Sequence, residues 1–418
     1  MSDDLYTKFF ASRVANMRSS EIRELLSILQ QDVISFAGGA PDPNTFPKIE
    51  NFQEAVEYAL ANYEKAFQYG TTEGLLSFRK QISAFMYRQM NVKIDPENIL
   101  VTVGSQEALD IIGRVFLDYR SRIVVELPTY IAALQTFNIW NPKYIAIPTD
   151  DDGLDIKVLE NRLRRVYSGG KRVKLLYVVP TGHNPLGSVM PLDRRKRLLE
   201  LAEKYDFYIV EDDPYGFITY DRVPPRLISL DGGERVIYVS TFSKLFSPGF
   251  RLGWIAGPSK IVKMLLLAKQ AVTLCPPPFN QFVVEYFLRN RWIDGNIPNI
   301  REVYRVKRDA MLEAMNHYMP KSVRWIEPKA GFFVFTYLPE GIDSKALLYR
   351  AIEKVKVAYV PGAGFYVDGG GKNTLRLSFS LPTPETIKEG IKRLGLFFDQ
   401  ILPKESRDSL SIEEEMVK

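Results

Sequence analysis

A lysine among small hydroxyl residues is the first feature of this sequence that could do chemistry. Lys244 ends the segment STFSK, and Arg251 follows seven positions later in SPGFRLGW. A lysine near an arginine in a partly apolar pocket has a lowered pKa, because burial and like charge both disfavour the ammonium. A neutral amine can attack an aldehyde and bind it covalently. Lys244 is therefore a candidate anchor for an aldehyde cofactor whose phosphate would contact Thr241, Ser243 and Arg251, and a solvated lysine is the ordinary alternative.

Polar residues also follow three other apolar segments. Ser105 and Gln106 come after ILVTV, where the free N–H groups of a helix start suit a phosphate. Asn184 follows KLLYVV in the turn PTGHNPLG, and Asp212 follows FYIVE with Tyr215 three positions later. Each feature has a simpler explanation, namely a capped helix, an ordinary Asn turn and a solvated acidic turn.

Taken together, these four groups supply the parts that a pyridoxal phosphate site requires. The amine carries the cofactor, the carboxylate keeps the ring nitrogen protonated, and the Asn and Tyr side chains hold the ring oxygen. The helix start, the hydroxyls and the arginine bind the phosphate. We therefore predict pyridoxal 5'-phosphate as the cofactor.

The predicted strands and helices around these residues indicate an α/β core. Seven segments rich in Val, Ile and Leu are predicted as strands: 99–103, 122–126, 143–147, 174–179, 207–212, 235–240 and 252–257. Continuous apolar runs are typical of strands buried on both faces of a largely parallel sheet, and amphipathic helical segments lie between them. Ligands bind at the carboxyl ends of strands in such sheets. The candidate residues follow the strands at those ends.

The rest of the chain predicts two further units. A long helical segment after about residue 295 leads to GFFVFTYL, VAYVP and TLRLSFS, which indicates a smaller α+β unit. The N-terminal part carries an amphipathic pattern, SSEIRELLSILQ, followed by the connector FAGGAPDPNTFP. We predict residues 1–50 as a helix and connector packing with the small domain and the active site, 51–295 as the large cofactor-binding domain, and 296–418 as the small C-terminal domain.

Composition argues against several classes of protein. The 418 residues carry a net charge of +5 with basic and acidic residues interspersed, unlike a nucleic-acid-binding arm. The single cysteine, Cys275, excludes an internal disulfide and favours the cytoplasm. No apolar run approaches a bilayer span, and the N-terminus lacks signal-peptide features. We expect a cytoplasmic protein with no nucleic-acid partner, no membrane partner and no metal site.

The chain resembles the class I/II aminotransferases of pyridoxal-phosphate fold type I over roughly residues 10–400. The motifs that carry the resemblance are SFAGGAPDPNTFP, QYGTTEG, GSQEALD, PTYIAALQTF, PTGHNPLG, VEDDPYG, STFSKLFSPGFRLGW and NTLRLSFS. It is most similar to the branch with 2-aminoadipate, kynurenine and aromatic aminotransferases. The resemblance implies a large domain with a mostly parallel, seven-stranded sheet flanked by helices, a smaller α+β domain, and a homodimer with shared active sites.

Residue by residue, the resemblance implies roles in cofactor binding. Lys244 would bind the cofactor and move a proton between the substrate Cα and the cofactor C4′, and Asp212 would contact the pyridine nitrogen. Asn184 and Tyr215 would hold the ring hydroxyl, and Tyr130 would stack on the ring. The positions implied for the phosphate are Ser105, Gln106, Thr241, Ser243 and Arg251.

The resemblance also implies a substrate site. Arg376 would clamp the α-carboxylate of the amino acid, and Gly39 would lie in the loop that lines the pocket. Asn184 would contribute here too. Tyr69 would reach across from the second subunit, and Arg23, on a mobile N-terminal helix, would hold an acidic side chain.

The sequence departs from the family pattern next to Asn184. Gly182 and His183 stand where relatives have an aromatic residue and Gln. We expect a solvent-exposed His183, with a place in the cofactor pocket as the alternative. The segment CPPPFNQ (275–281) is unusually proline-rich and is expected to shape the pocket entrance.

The predicted activity is transfer of an α-amino group from an aromatic, 2-aminoadipate-like or broad range of amino acids to a 2-oxo acid, with 2-oxoglutarate expected. One alternative is a C–S β-lyase on the same scaffold, which would not convert the cofactor to pyridoxamine phosphate. Another is a transcription regulator with an aminotransferase-like module. We do not expect a regulator, because the module begins almost at residue 1 without a basic recognition helix.

Overall fold

A computed structural model of the chain describes residues 8–17 and 32–403. The predicted N-terminal helix and Arg23 lie outside the described residues. The strands are β1 Ile34–Ser35, β2 Ile99–Thr102, β3 Arg122–Leu127, β4 Lys143–Asp150, β5 Gly153–Leu154, β6 Leu175–Val178, β7 Tyr208–Asp212, β8 Val236–Thr241, β9 Gly253–Ala256, β10 Arg324–Ile326, β11 Phe333–Tyr337, β12 Val357–Ala358, β13 Val360–Pro361 and β14 Thr374–Ser378.

The α-helices of the described residues follow and connect these strands. Their bounds are Ile49–Ala61, Tyr63–Ala66, Leu76–Met90, Gly104–Phe116, Ile131–Asn138, Ile156–Ser168, Leu192–Tyr205, Leu227–Asp231, Ser259–Gln270, Pro278–Arg289, Trp292–Tyr318, Ser344–Val355 and Pro384–Ile401.

The large sheet contains all seven predicted strands. Its order is β2-β9-β8-β7-β6-β3-β4-β5, with parallel pairing from β8 through β7, β6 and β3 to β4. Strand β9 runs antiparallel to both of its neighbours. The eighth strand, β5, has two residues and pairs antiparallel with β4; it was not predicted because two residues carry no periodicity. The predicted α/β fold is confirmed.

Both faces of this sheet are buried, as the continuous apolar runs require. Val210 and Tyr177 belong to one apolar layer, which Ile112 of the Gly104–Phe116 helix also joins. On the other face, Ile209 packs in a second layer with Leu198 of the Leu192–Tyr205 helix. Helices on both faces thus leave the strand ends as the place where polar side chains can gather.

A smaller antiparallel sheet, of order β10-β11-β14-β13, follows in the chain. Strand β1 of the N-terminal connector pairs in parallel with β12, so the connector is fixed to this C-terminal part. The Trp292–Tyr318 helix buries Ile293 in the same apolar layer as Ile209 and Leu198. It buries Tyr304 in the core of the smaller sheet. We therefore propose that the large and small domains meet along this helix, near the predicted boundary at residue 295.

None of the helices in the described ranges 8–17 and 32–403 combines the length and the apolar character that a membrane crossing requires.

Candidate active site

A cavity of about 790 Å³ lies at the carboxyl ends of the strands of the large sheet. Most of the predicted site residues line it: Gly39, Ser105, Gln106, Tyr130, Asn184, Asp212, Tyr215, Thr241, Ser243, Lys244, Arg251 and Arg376. The structure therefore brings together residues that are up to 337 positions apart in the chain, from Gly39 to Arg376 (376 − 39).

Lys244 follows β8 in a short 3-10 turn, Phe242–Lys244. Its Nζ donates a hydrogen bond of 2.8 Å to the carbonyl of Gly39. Burial, together with the positive charges of Arg251 and Arg376, lowers the pKa of Lys244 to about 8. A substantial fraction of this amine is therefore neutral near pH 8, which is the form that attacks an aldehyde.

The start of the Gly104–Phe116 helix forms an anion site with Arg251. Gly104 has a φ of +75°, and a Cβ at this position would lie 2.6 Å from Nη2 of Arg251. Only a glycine therefore lets the guanidinium come this close to the positive end of the helix. Thr241 Oγ1 and Ser243 Oγ, 3.0 Å apart, add hydroxyl groups beside it. This set of donors suits a phosphate.

Two further predicted residues contribute through particular groups. The side-chain amide of Gln106 donates to the hydroxyl of Thr136 and to the carbonyl of Ala132. The backbone N–H is then the group that Gln106 would offer to a phosphate. Tyr130 lies at the start of the Ile131–Asn138 helix and lines the cavity, where its ring would cover one face of a bound cofactor.

Two adjacent carboxylates lie at the end of β7, and their contacts differ. Asp213 Oδ2 accepts hydrogen bonds of 2.8 Å from Arg226 and from Tyr238. Asp212 lines the cavity, and its Oδ2 accepts a 2.7 Å hydrogen bond from the hydroxyl of Tyr177. Among the described residues, no donor reaches the buried Oδ1 of Asp212. That oxygen suits a ring N–H of the cofactor.

Asn184, Tyr215 and Arg376 meet in the cavity. Arg376 donates from Nη1 to Asn184 Oδ1 and from Nη2 to the carbonyl of Ala37, both at 3.0 Å. Its guanidinium lies 4.0 Å from the centroid of the Phe333 ring. Burial lowers the pKa of Arg376 to about 10, so the group is still charged at neutral pH and suits a carboxylate. Burial raises the pKa of Tyr215, which keeps its phenol protonated as a donor.

The expectation that His183 is exposed is wrong. The side chain is 1% exposed, and Nε2 lies 3.2 Å from Oε2 of Glu126, a carboxylate at the end of β3 that is equally buried. Nδ1 accepts a 3.3 Å hydrogen bond from the N–H of Leu186. His183 does not line the cavity; it supports from behind the turn that carries Asn184. We expected a turn residue to face water, but the buried carboxylate of Glu126 provides a partner for the imidazole inside the protein.

Tyr69 is not brought into the cavity of its own chain: its side chain is 78% exposed. The proline-rich segment 275–281 does not line this cavity either. A Cβ at Gly70 would lie 3.2 Å from Cγ of Pro278, so the proline segment packs beside the loop of Tyr69. The predicted effect of these prolines on the pocket entrance stays a prediction.

Sequence reasoning missed the residues that support and enclose the site. Tyr177 faces Asp212 from the neighbouring strand, and Arg226 neutralises Asp213. Phe333 and Ile131 add apolar surface to the cavity. The signal for Tyr177 was present, because a tyrosine inside an apolar strand needs a partner for its hydroxyl. Arg226 gave no such signal, since its partner depends on how the loop folds back.

A buried amine of lowered pKa, an anion site at a helix start and a carboxylate with one free oxygen fit pyridoxal phosphate. On this α/β fold they define a pyridoxal-phosphate enzyme of fold type I. The chain matches the model of the family "Aminotransferase class I and II" over residues 31–394, and it belongs to this family.

The chain is also similar to individual aminotransferases over nearly its full length. It is 46% identical to aromatic-amino-acid aminotransferase 1 of Thermococcus litoralis, over 93% of this chain and 94% of that protein. It is 38% identical to 2-aminoadipate transaminase of Thermus thermophilus, over 93% and 96% of the two chains. The crystal structure of Pyrococcus horikoshii kynurenine aminotransferase in complex with PMP is similar to this structure, with a TM-score of 0.91. The two sequences are 45% identical, and the match covers 96% of this chain and 99% of that one.

The protein is therefore an aminotransferase of fold type I that depends on pyridoxal phosphate. Of the activities predicted from the sequence, the comparisons support amino-group transfer by a pyridoxal-phosphate enzyme.

Proposed function

We propose that this enzyme transfers the α-amino group of aromatic and 2-aminoadipate-like amino acids to 2-oxoglutarate, with its active sites shared between the two subunits of a homodimer. The observation that carries the proposal is the position of Lys244 in the cavity, within the electrostatic influence of both Arg251 and Arg376. Arg251 lies beside the helix start, whereas Arg376 contacts Asn184 and the carbonyl of Ala37, so each suits a different anion.

The residues of the cavity divide the work of binding. Ser105, Thr241, Ser243, Arg251 and the backbone N–H of Gln106 would hold the phosphate. Asp212 would accept the ring N–H, Asn184 and Tyr215 would hold the ring hydroxyl, and Tyr130 would cover the ring. When bound, pyridoxal phosphate supplies an aldehyde that takes up an amino group and a ring that stores the electron pair released at Cα.

Lys244 and Arg376 act on the substrate itself. Arg376 would bind the α-carboxylate through two N–H groups and so orient the Cα–H bond. The neutral amine of Lys244 would take the proton from Cα and return a proton at C4′ of the cofactor, since its lowered pKa makes it an effective base near neutral pH.

The surface of the cavity supports an apolar donor side chain. Ile131, Phe333, Gly39 and Ala40 line it, and they offer apolar contacts to an aromatic ring. Within the described ranges, the arginines of the cavity are Arg251 and Arg376, and both already have a proposed anion. An acidic donor or 2-oxoglutarate would need a further cation.

Arg23 is our proposal for that cation. We expect Arg23→Ala to raise the KM for glutamate or 2-aminoadipate far more than the KM for phenylalanine. Equal changes for acidic and aromatic donors would contradict this role.

The homodimer and the cytoplasmic location belong to the same proposal. Tyr69 and Phe67 are 78% and 66% exposed, and they form an apolar surface that a second copy of the chain would cover. Tyr69 would then reach the cofactor and the substrate in the site of the second subunit, as the family resemblance implies. The single cysteine, Cys275, is free and agrees with a reducing compartment.

A panel of amino donors against 2-oxoglutarate tests the proposed function. Turnover would be followed together with the absorbance of the bound cofactor as it is converted to pyridoxamine phosphate. Aromatic donors are expected to give the highest kcat/KM, and Lys244→Ala should abolish transfer. Efficient use of acidic donors alone, or a 2-oxo acid other than 2-oxoglutarate as the preferred acceptor, would contradict it.

A further inference from the structure

Tyr177 and Asp212 lie on adjacent strands with their side chains on the same face of the sheet. In the parallel pairing of β6 with β7, Tyr177 is opposite Val210, and Asp212 is two residues further along. Side chains alternate along a strand, so Val210, Asp212 and Tyr177 share one face. The phenol donates a 2.7 Å hydrogen bond to Oδ2 of Asp212, and the two side chains are 0% and 2% exposed.

The two oxygens of Asp212 therefore have different surroundings. Oδ2 has the phenol as its donor, whereas Oδ1 is buried and has no donor among the residues that the structure describes. Asp212 lines the cavity, while Tyr177 does not. The phenol thus contacts the carboxylate from the side away from the cavity.

We propose that Tyr177 is a positioning residue for the cofactor: its hydroxyl holds Oδ2 of Asp212, so that Oδ1, which has no donor among the described residues, is kept available to accept the ring N–H. The inference rests on the proposed role of Asp212. It adds a residue that does not touch substrate or cofactor and acts only through this carboxylate.

The electrostatic surroundings make this hydrogen bond important. Burial is the main reason why the pKa of Asp212 is raised to about 7; the hydrogen bond from Tyr177 opposes this rise, and the neighbouring charge of Asp213 adds to it. Burial raises the pKa of Tyr177 well above its usual value, and Asp212, Tyr130 and Glu126 act in the same direction. The phenol therefore stays protonated and keeps donating, and without it the carboxyl would more readily take up a proton.

A purely structural role is the competing explanation. Tyr177 is also an edge-on neighbour of Phe137, with ring centroids 5.7 Å apart, so its loss could simply loosen the core. Tyr238 provides a matched control. It lies on β8, is 0% exposed and donates a 2.8 Å hydrogen bond to Asp213, the carboxylate that faces Arg226 instead of the cavity.

The experiment compares Tyr177→Phe with Tyr238→Phe in the full-length holoenzyme. Both variants lose one buried hydroxyl that donated to a carboxylate, so similar losses in urea unfolding are expected. The informative measurement is the dissociation rate of pyridoxamine phosphate, which Lys244 does not bind covalently. We expect release to be about tenfold faster or more in Tyr177→Phe and to stay within about twofold of wild type in Tyr238→Phe.

A second readout is the pH titration of the absorbance of the bound cofactor. Tyr177→Phe should shift this titration, because the protonation of the ring nitrogen depends on the charge of Asp212. Tyr238→Phe should leave the titration unchanged. If both variants release the cofactor equally and titrate alike, Tyr177 is only a core residue and the inference is overturned. A wild-type protein that binds no cofactor at Lys244 would instead overturn the proposed function.

Coupling to Asp212 provides the last check. In an Asp212→Asn background, the further change Tyr177→Phe should alter cofactor release by less than about twofold, because the group it acts through has gone. A full effect in that background would overturn the inference. Should Tyr177→Phe not fold, 3-fluorotyrosine at position 177 alone keeps the shape but donates more strongly, so slower release supports the inference and unchanged release contradicts it.

Discussion

At the scale of single residues, the reactivity of this site depends on one amine between two guanidinium groups. Lys244 has no carboxylate as a hydrogen-bond partner among the described residues; its Nζ donates to the carbonyl of Gly39. Burial and the charges of Arg251 and Arg376 both favour the neutral amine. The two arginines thus have a second effect besides binding anions, because they keep the lysine available as nucleophile and base.

Replacing Arg251 should therefore change the titration of Lys244. In the cofactor-free protein, Arg251→Gln removes a positive neighbour, so the ammonium is less disfavoured and the pKa of Lys244 rises above its value of about 8. At pH 8 a smaller fraction of the amine is then neutral. Labelling of Lys244 with an amine-specific reagent, followed by mass spectrometry across pH, should show a midpoint at higher pH.

Arg194→Gln is the control for this prediction. Arg194 pairs with Asp150 outside the cavity and is not among the groups that shift Lys244. It should leave the labelling midpoint unchanged. Identical midpoints in wild type and Arg251→Gln would show that the charge of Arg251 does not affect the reactivity of the lysine.

At the scale of elements, the turn that carries Asn184 is held at both ends by one buried side chain. Arg195, in the Leu192–Tyr205 helix, donates to the carbonyls of Pro180 and Met190 and to the hydroxyl of Thr181, each at 2.8 Å. It is 0% exposed, and burial lowers its pKa to about 10. The guanidinium thus adds to the backbone hydrogen bonds of this turn, in which the N–H of Met190 donates to the carbonyl of Pro180.

Arg195→Met should unfold at lower urea concentration than wild type. Each buried acceptor left without a donor costs about 1–3 kcal/mol. The carbonyl of Pro180 keeps the N–H of Met190 as a donor, so the carbonyl of Met190 and the hydroxyl of Thr181 are affected, and a loss of about 2 kcal/mol or more is expected. Arg197→Met on the same helix is the control, since its ion pairs with Glu160 and Glu200 are at the surface and contribute about 0–1 kcal/mol. Comparable losses in the two variants would refute the role given to Arg195.

The helix start that forms the anion site makes a separate prediction. Gly104→Ala places a Cβ 2.6 Å from Nη2 of Arg251, at a backbone φ of +75°. The guanidinium must move, so we expect affinity for pyridoxal phosphate to fall about tenfold, as for the loss of one charged hydrogen bond. Titration of the cofactor absorbance measures it.

Gly170→Ala separates this effect from backbone strain. Gly170 has a φ of +67°, and no atom lies within 4 Å of its Cβ position. The variant should lose about 1–2 kcal/mol of stability and keep full cofactor affinity. If Gly170→Ala weakens cofactor binding as much as Gly104→Ala does, general destabilisation explains both.

At the scale of the whole molecule, the cavity is assembled from three parts of the chain. Asp212 and Lys244 come from the large sheet, Arg376 and Phe333 come from the smaller one, and Gly39 comes from the N-terminal connector. The connector is fixed by the pairing of β1 with β12. Movement of the smaller sheet relative to the large one would therefore change the distance between Arg376 and the amine of Lys244.

The shared site of the proposed homodimer leads to a complementation test. Lys244→Ala and Tyr69→Ala should each be nearly inactive, because one removes the base and the other removes a contact to the partner's site. In a mixed dimer one site carries both changes and the other carries neither. Unfolding and refolding an equal mixture should then restore about a quarter of wild-type activity, since half of the dimers are mixed. Failure to recover activity, with mixed dimers demonstrated by mass, would mean that each site belongs to one chain.

Which residues could react, and where they lie along the chain, follows from the amino-acid sequence without the structure. Lys244, Asp212, Asn184 and the start of the Gly104–Phe116 helix all follow apolar strands, and that pattern is local, so it can be read without knowing the fold. The large sheet was predictable for the same reason, because strands buried on both faces are continuously apolar.

The partner that each of these residues has, in contrast, depends on how the chain folds. It separated Asp212 from Asp213, placed Tyr177 behind the first of them, buried His183 against Glu126, and left Tyr69 outside the cavity. These contacts depend on the order and register of strands far apart in the chain. Local periodicity specifies which face of a strand is buried, but not which strand lies next to it.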